Sequence, residues 1–244
     1  MFFLPTRNPI LIAAAVIPAI ILLNYIYRKD HLEKEPPRLL FSLIALGVVS
    51  TALALVAEQI GSFLLGLVLT EGSLAYNALL YFAVVGCAEE GAKNLLLYRK
   101  TWTLPAFNCQ FDGVVYAVFV SLGFALWENL GYVAAYGFLT ALTRALTAIP
   151  GHACFGVFMG AWYGMAKRYA NEGNEIKSRQ CRRRAFFVPA LIHGAYDFIA
   201  TWQILHAAWL FFAFIIILFG IALHRVRVLS AQDDYIDGRG PTFF

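Results

Sequence analysis

The segment VVGCAEEGAKNLLLY, residues 84 to 98, places two adjacent glutamates and a lysine between apolar runs. On a helix Glu89 and Glu90 point about 100° apart, and Lys93 follows them at i+4 and i+3. One lysine can neutralise one carboxylate and leave the other free. An ion pair at a helix end would explain Glu90 and Lys93, but it does not explain the second acid.

Three later apolar stretches also contain groups that can transfer protons. Glu128 precedes Asn129 in DGVVYAVFVSLGFALWENLGYV, and His152 lies in PGHACFGVFMGAWYG. In HGAYD, His193 and Asp197 are four residues apart and share a helix face. Such a pair either holds the imidazole in place or serves as a general acid or oxyanion-binding group.

The composition indicates that these residues lie in a membrane. With 60% hydrophobic and 14% charged residues, the chain is too apolar for a soluble domain. We predict an all-α polytopic membrane helix bundle and a single domain over 1–244. Its seven transmembrane helices are expected at about 9 to 27, 39 to 57, 74 to 97, 112 to 136, 140 to 166, 186 to 202 and 206 to 224. The sequence leaves open whether 58 to 73 extends the second helix.

The distribution of Lys and Arg predicts the orientation. Sixteen of the nineteen lie in four segments that alternate with segments nearly free of them, which places the N-terminus outside and the C-terminus in the cytoplasm. The run KSRQCRRR, ending at Arg184, is interpreted as a topological anchor in the lipid bilayer, and no nucleic acid is expected as a partner.

The ionisable residues inside the predicted helices are expected to meet. Each costs about 2.5 to 3.5 kcal/mol at a helix centre, so such groups face the bundle interior with a partner. At about 1.5 Å per residue, their depths are close enough for the groups to meet around one cavity that spans the midplane. We therefore predict that Glu89, Glu128, His152 and His193 face one cavity.

The motifs EEGAK, DGVVYAVFVSLGFALWEN, TRALTAIPGHACFG and LIHGAYDF, in that order, resemble the PrsW intramembrane proteases, relatives of the CAAX prenyl proteases. The resemblance covers most of 30 to 200 and implies a protease of a bacterial inner membrane that cleaves a membrane-anchored protein, such as an anti-sigma factor. It also implies the residue roles. Glu89 would activate water, and Glu90 with Lys93 would hold this helix segment in place. Glu128 with Asn129 would form the second family motif, and His152 would be a further site residue. His193 with Asp197 would polarise the scissile carbonyl.

The residues leave the cofactor open. Zinc could be held among Glu89, Glu128, His152 and His193, with a fourth position for water. No two of these have the HExxH spacing of a helical zinc site. We therefore favour a reaction without a cofactor, because a carboxylic acid in a low-dielectric cavity is a competent base.

Two functions from other classes are also compatible with the sequence. A proton-coupled transporter or channel would likewise carry acids and histidines at the midplane, but neither internal repeats nor interrupted helices are evident apart from Pro150. A haem protein could use His152 and His193 as axial ligands.

Overall fold

The computed structural model describes residues 8–202 and 207–236, and this part of the chain is largely helical. Within it no strand forms, and only an isolated β-bridge joins Cys109 to Tyr235. The helices are α1 (Pro9–Lys29), α2 (Pro37–Gly66), α3 (Leu74–Leu79), α4 (Gly86–Thr101), α5 (Asp112–Tyr136), α6 (Phe138–Leu146), α7 (Ala148–Asn171), α8 (Glu175–Ala200) and α9 (Ala207–Ala231).

The predicted all-α membrane helix bundle is confirmed. Within the described residues, five helical segments are long and apolar enough to cross a membrane: Pro9–Lys29, Pro37–Gly66, Asp112–Tyr136, Phe138–Asn171 and Ala208–Ala231. The two predicted spans that are not among these five correspond to α3–α4 and α8, which carry many of the ionisable residues. The count of seven spans and the orientation stay predictions.

Several predicted boundaries differ from the observed ones; for example, the third and seventh predicted helices end at Thr101 and Ala231, not at 97 and 224. The second helix runs to Gly66, so about half of the undecided segment 58 to 73 extends it. The predicted fifth helix, 140 to 166, is divided at Thr147, where φ is −123° and ψ is −70°. The predicted sixth helix begins at Glu175, eleven residues early, because the basic run continues the helix. Residue 206, where the seventh predicted helix begins, lies outside the described residues.

Glycines allow α5 and α7 to approach each other closely. A Cβ atom on Gly113 would lie 2.5 Å from the backbone nitrogen of Gly164, and one on Gly156 would lie 2.9 Å from Cα of Val118. Gly156, Gly160 and Gly164 recur every four residues along α7 and lie on the face that makes this contact. Because the two backbones touch, His152 at the start of α7 is held against α5.

The helix that carries the two adjacent glutamates is fixed between α2 and α8. Leu80–Val85 form π-helical turns that join α3 to α4 just before Glu89, and such turns are frequent at functional sites. A Cβ on Gly86 would lie 2.5 Å from the carbonyl oxygen of Ala190, and one on Gly194 would lie 2.8 Å from Cα of Phe82. Close contact with α8 therefore sets the position of α4.

Candidate active site

Three charged side chains on α4 form a buried triad. The Lys93 ammonium lies 2.7 Å from Oε1 of Glu90 and 3.2 Å from Oε2 of Glu89. Lys93 and Glu90 are fully buried, whereas 8% of the Glu89 side chain is accessible. The Phe124 ring centroid lies 3.9 Å from Lys93 Nζ and adds a cation–π contact. The lysine therefore compensates both acids, and Glu90 is held more tightly.

His193 on α8 connects the triad to Asp197. Its Nδ1 lies 3.0 Å from Glu90 Oε1 and 3.8 Å from Glu89 Oε2, while its Nε2 lies 3.4 Å from Asp197 Oδ2. The Phe155 ring stacks on the imidazole at 4.5 Å between centroids and fixes its plane. Glu90 is thus a nearer partner of His193 than Asp197, the residue predicted to orient it.

His152 on α7 joins the triad to the second motif. Its Nδ1 lies 3.2 Å from Lys93 Nζ, and its Nε2 lies 3.0 Å from Glu128 Oε2. An ammonium group only donates hydrogen bonds, so Nδ1 must be the acceptor and Nε2 carries the proton given to Glu128. His152 is therefore the neutral tautomer with its proton on Nε2.

The short helix α6 supplies the basic partner of Glu128. Arg144 donates from Nη2 to Glu128 Oε2 at 2.8 Å and from Nε to Oδ1 of Asn129 at 2.9 Å. Asn129 in turn donates from Nδ2 to the carbonyl oxygen of Ala15. One guanidinium thus fixes both residues of the second motif, and Asn129 ties the motif to α1.

All of the predicted site residues lie in one network of contacts. It runs from Asp197 through His193, Glu90, Lys93, His152, Glu128 and Arg144 to Asn129, with Glu89 attached to Lys93. The four side chains expected to share one cavity, Glu89, Glu128, His152 and His193, all belong to it.

Two further ionisable residues belong to this region, although sequence reasoning did not place them in it. Arg144 could have been found by elimination: apart from the four basic segments, the only Lys and Arg are Arg7, Lys93 and Arg144. Glu58 carried a similar signal, because it lies at the end of a long apolar run. Both are unexpected in lipid and needed a partner.

The register of α2 against α4 places Glu58 beside Glu89. Ala54 packs with Ala92 in one small cluster, and a Cβ on Gly61 would lie 2.6 Å from a methyl group of Val84. The two helices are therefore antiparallel, and Glu58, one turn after Ala54 on the same face, lies level with Glu89. Among the described residues the Glu58 side chain makes no hydrogen bond.

The site contains more acids than permanent cations. The lysine and arginine side chains of this region are Lys93 and Arg144. The acids are five in number: Glu58, Glu89, Glu90, Glu128 and Asp197. Lys93 is fully buried and Arg144 is partly buried, and these two cations leave the five carboxylates with an excess of negative charge that bound protons would reduce. An arrangement of this kind can accept and release protons during a reaction.

The side-chain atoms that could together bind a metal ion surround the Lys93 ammonium. Within the described residues, Glu89, Glu90 and His152 each offer one ligand atom, and these atoms lie within 4.8 Å of one another. The Lys93 ammonium contacts all three residues, at 3.2, 2.7 and 3.2 Å. A metal ion would have to take the place of this ammonium. As arranged, the three residues surround a lysine cation.

The two histidines are not arranged as haem ligands. Their rings are in edge-to-face contact with centroids 5.3 Å apart, and all four ring nitrogens face protein groups. A porphyrin plane has no room between rings in direct contact. In this arrangement the two histidines do not form a pair of axial haem ligands.

The chain is similar to known proteins over most of its length. The family described as "PrsW family intramembrane metalloprotease" matches residues 35–223. A Protease PrsW of Clostridioides difficile (strain 630) is 33% identical over 219 residues, covering 87% of this chain and 88% of that protein. The Protease PrsW of Bacillus subtilis (strain 168) is 34% identical over 197 residues, covering 78% and 83%.

No solved structure matches the chain significantly. The relatives are bacterial, in agreement with the predicted location in a bacterial inner membrane. The family match spans the helices that carry the network, from α2 to α8, and family membership leaves no reason to retain the transporter hypothesis. The chain belongs to the PrsW family of intramembrane proteases.

Proposed function

We propose that this protease hydrolyses a peptide bond of a membrane-anchored protein with a water molecule activated by Glu89 and without a metal. The observation that carries the proposal is the position of Lys93, whose ammonium contacts Glu89, Glu90 and His152 within 3.2 Å. A fixed cation already compensates the carboxylates there. The metal-dependent alternative requires Lys93 to leave this position.

The different environments of the two glutamates support Glu89 as the base. Oε1 of Glu90 is bound by Lys93 at 2.7 Å and by His193 at 3.0 Å, and its side chain is fully buried. Glu89 is held at 3.2 and 3.8 Å by the same two groups and is partly accessible. Water can therefore reach Glu89, whereas Glu90 is suited to hold Lys93 and His193 in place.

His193 is suited to bind the oxyanion that develops on the scissile carbonyl. Its Nδ1 is occupied by Glu90 at 3.0 Å, but its Nε2 is 3.4 Å from Asp197, which is longer than a normal N–H···O bond. The Nε2–H is therefore available to donate to a substrate oxygen, and Asp197 would stabilise the positive charge on the ring.

The reaction needs only these groups. Glu89 takes a proton from water as the water oxygen bonds to the carbonyl carbon, and the negative charge on the carbonyl oxygen is stabilised by His193. The carbon–nitrogen bond then breaks, and Glu89 returns the proton to the leaving amine. His152, Glu128 and Arg144 act by holding Lys93 in position.

The location of the site supports a substrate anchored in the membrane. The network is built from α4, α5, α7 and α8 with α6 at one end. It lies inside a bundle in which five helical segments are long and apolar enough to cross a membrane. A substrate helix in the bilayer would reach these groups by lateral movement. We propose a membrane-anchored regulator, such as an anti-sigma factor, as the substrate.

Removal of metal tests the mechanism. The substrate is first found by comparing membrane-protein fragments in cells that carry the wild type or Glu89→Gln, and is then reconstituted with the purified protease in liposomes. We expect cleavage to be unchanged by EDTA or phenanthroline. Loss of cleavage with a chelator and its return on addition of Zn²⁺ would contradict the proposal and favour the metal-dependent alternative.

Arg144→Met is expected to lower cleavage about 100-fold, because Glu128 would lose its cation and small displacements at a reacting centre have effects of this size. Arg144→Lys should give an intermediate rate, since an ammonium keeps the charge but not the fork that contacts Glu128 and Asn129 together. The measurement is kcat and KM in liposomes. A positioning role lowers kcat more than it raises KM.

The matched control for Arg144→Met is Arg168→Met. Arg168 also pairs with a glutamate, Glu172, at 3.2 Å, but both side chains are exposed. The control should keep wild-type activity. Equal activity of both variants would show that Arg144 does not contribute to the site, provided that both run as folded protein on size-exclusion chromatography.

A further inference from the structure

A cavity of about 420 Å³ lies between α4 and α8, outside the network described above. Its size is within the range of small-molecule sites. On the predicted orientation it opens on the cytoplasmic side of the membrane. The residues that line it are Asn94, Tyr98, Tyr163, Arg179, Arg182, Arg183, Phe186 and Phe187.

The cavity lining is positively charged. Three arginines and no acid line it. Arg182 donates from Nη1 to the Tyr98 hydroxyl at 2.9 Å, which aims its guanidinium into the cavity. Arg179 and Arg183 are exposed and form no ion pair among the described residues, although Glu175 lines a smaller adjoining pocket together with both arginines. The charge of this lining is complementary to an anion.

The cavity also changes from charged to apolar along its depth. On α8 the arginines come first from the cytoplasmic end, and Phe186 and Phe187 follow one to two turns deeper. A Cβ on Gly91 would lie 3.3 Å from the Phe186 ring. The aromatic end of the cavity is therefore level with the middle of α4. Phe187 is 53% exposed and is therefore accessible to an acyl chain.

This order of groups matches a phospholipid of the cytoplasmic leaflet, whose phosphate lies near the surface and whose acyl chains point to the midplane. A soluble anion would gain nothing from the deep aromatic end. Basic pockets between transmembrane helices on the cytoplasmic side are suited to anionic headgroups. The stacked Tyr98 and Trp102 rings, 5.0 Å apart, lie at the same level and provide an interfacial aromatic pair.

We propose that this cavity binds the headgroup of an anionic phospholipid, with its acyl chains along Phe186 and Phe187. The run KSRQCRRR would then be a lipid-binding element in addition to a topological anchor. Asn94 directly follows Lys93, and Phe186 packs on Gly91, which directly follows Glu90. The bound lipid would therefore contact the helix turn that carries the buried triad, although lipid binding itself does not depend on the proposed protease mechanism.

Native mass spectrometry of the purified protein in detergent tests this site. Phosphatidylglycerol and phosphatidylcholine are added separately, and the dissociation constant of the first bound lipid is measured. Arg179→Gln/Arg183→Gln should bind phosphatidylglycerol roughly 10- to 30-fold more weakly, from the loss of two charges near the headgroup. Phosphatidylcholine should bind the wild type and the variant equally weakly.

The control removes the same charge elsewhere. Arg225 and Arg227 are exposed on α9 and do not line the cavity, so Arg225→Gln/Arg227→Gln should bind phosphatidylglycerol as the wild type does. Equal losses in the two double variants would overturn the proposal, because the attraction would then come from net charge alone.

Two more measurements separate the sources of the anion. Phe187→Ser keeps all three arginines and should weaken phosphatidylglycerol but not soluble glycerol phosphate. If glycerol phosphate binds the wild type as tightly as the lipid does, the cavity is a site for soluble anions and the lipid proposal is wrong. If an acidic peptide displaces the lipid and binds more tightly, the cavity is a protein-docking site, and the proposal is wrong as well.

Discussion

Glu89→Gln is expected to lower peptide cleavage about 100- to 10,000-fold, the contribution of a positioned general base, and to leave the protein folded. Gln has nearly the same size and keeps an oxygen for the Lys93 contact, which is 3.2 Å long. Lys93 also retains its stronger partner Glu90 at 2.7 Å. A neutral amide is easier to bury than a carboxylate, so the protein should be at least as stable as the wild type.

The measurement is cleavage by the purified variant in liposomes, beside its thermal unfolding midpoint in detergent. Glu172→Gln is the matched control, because Glu172 also pairs with a basic side chain but is exposed at the surface. The control should retain full activity. Full activity of Glu89→Gln would eliminate Glu89 as the base. If Glu89→Gln also lost bound zinc that the wild type carries, Glu89 would be a metal ligand.

Lys93→Met is expected to prevent stable accumulation of the protein. The lysine is fully buried between Glu89 and Glu90 and lies over Phe124. Breaking a buried pair by removing one partner costs about 3 to 5 kcal/mol, a large fraction of the stability of a typical domain. The measurement is the amount of folded protein in the membrane and its thermal midpoint after extraction.

A second substitution separates charge from chemistry in this variant. Lys93→Met/Glu90→Gln removes one carboxylate together with the cation, so it should accumulate better than Lys93→Met alone. It should remain inactive, because Nδ1 of His152 has lost its donor at 3.2 Å. Normal accumulation and activity of Lys93→Met would show that the triad does not need its cation.

The sequence by itself determined the class of protein and the local part of the site. Hydrophobic content and length are properties of each segment, so the helices at 9–29 and 112–136 could be predicted to within about two residues. The pairing of Lys93 with Glu89 and Glu90 follows from helical spacing alone, since side chains three and four residues apart are neighbours on any helix. The motifs indicated the family for a similar reason, because their order is a property of the linear sequence and does not depend on the packing of the helices.

Only the tertiary structure decided the partners that lie far apart in the chain. Lys93 and His152 are 59 residues apart in the sequence but are in contact. The helical spacing predicted Asp197 as the partner of His193, but Glu90 lies nearer to it. Helical periodicity gives the face on which a side chain lies, but not which other helix packs against that face.

Arg144 and Glu58 depend even more on the packing. Arg144 reaches Glu128 because the chain turns at Thr147 and separates α6 from α7, where a continuous helix was predicted. Glu58 lies level with Glu89 because α2 continues past the predicted end of its span and packs antiparallel on α4. A turn between two apolar segments and the register of two helices are set by contacts among several elements, so no local pattern in the sequence specifies them.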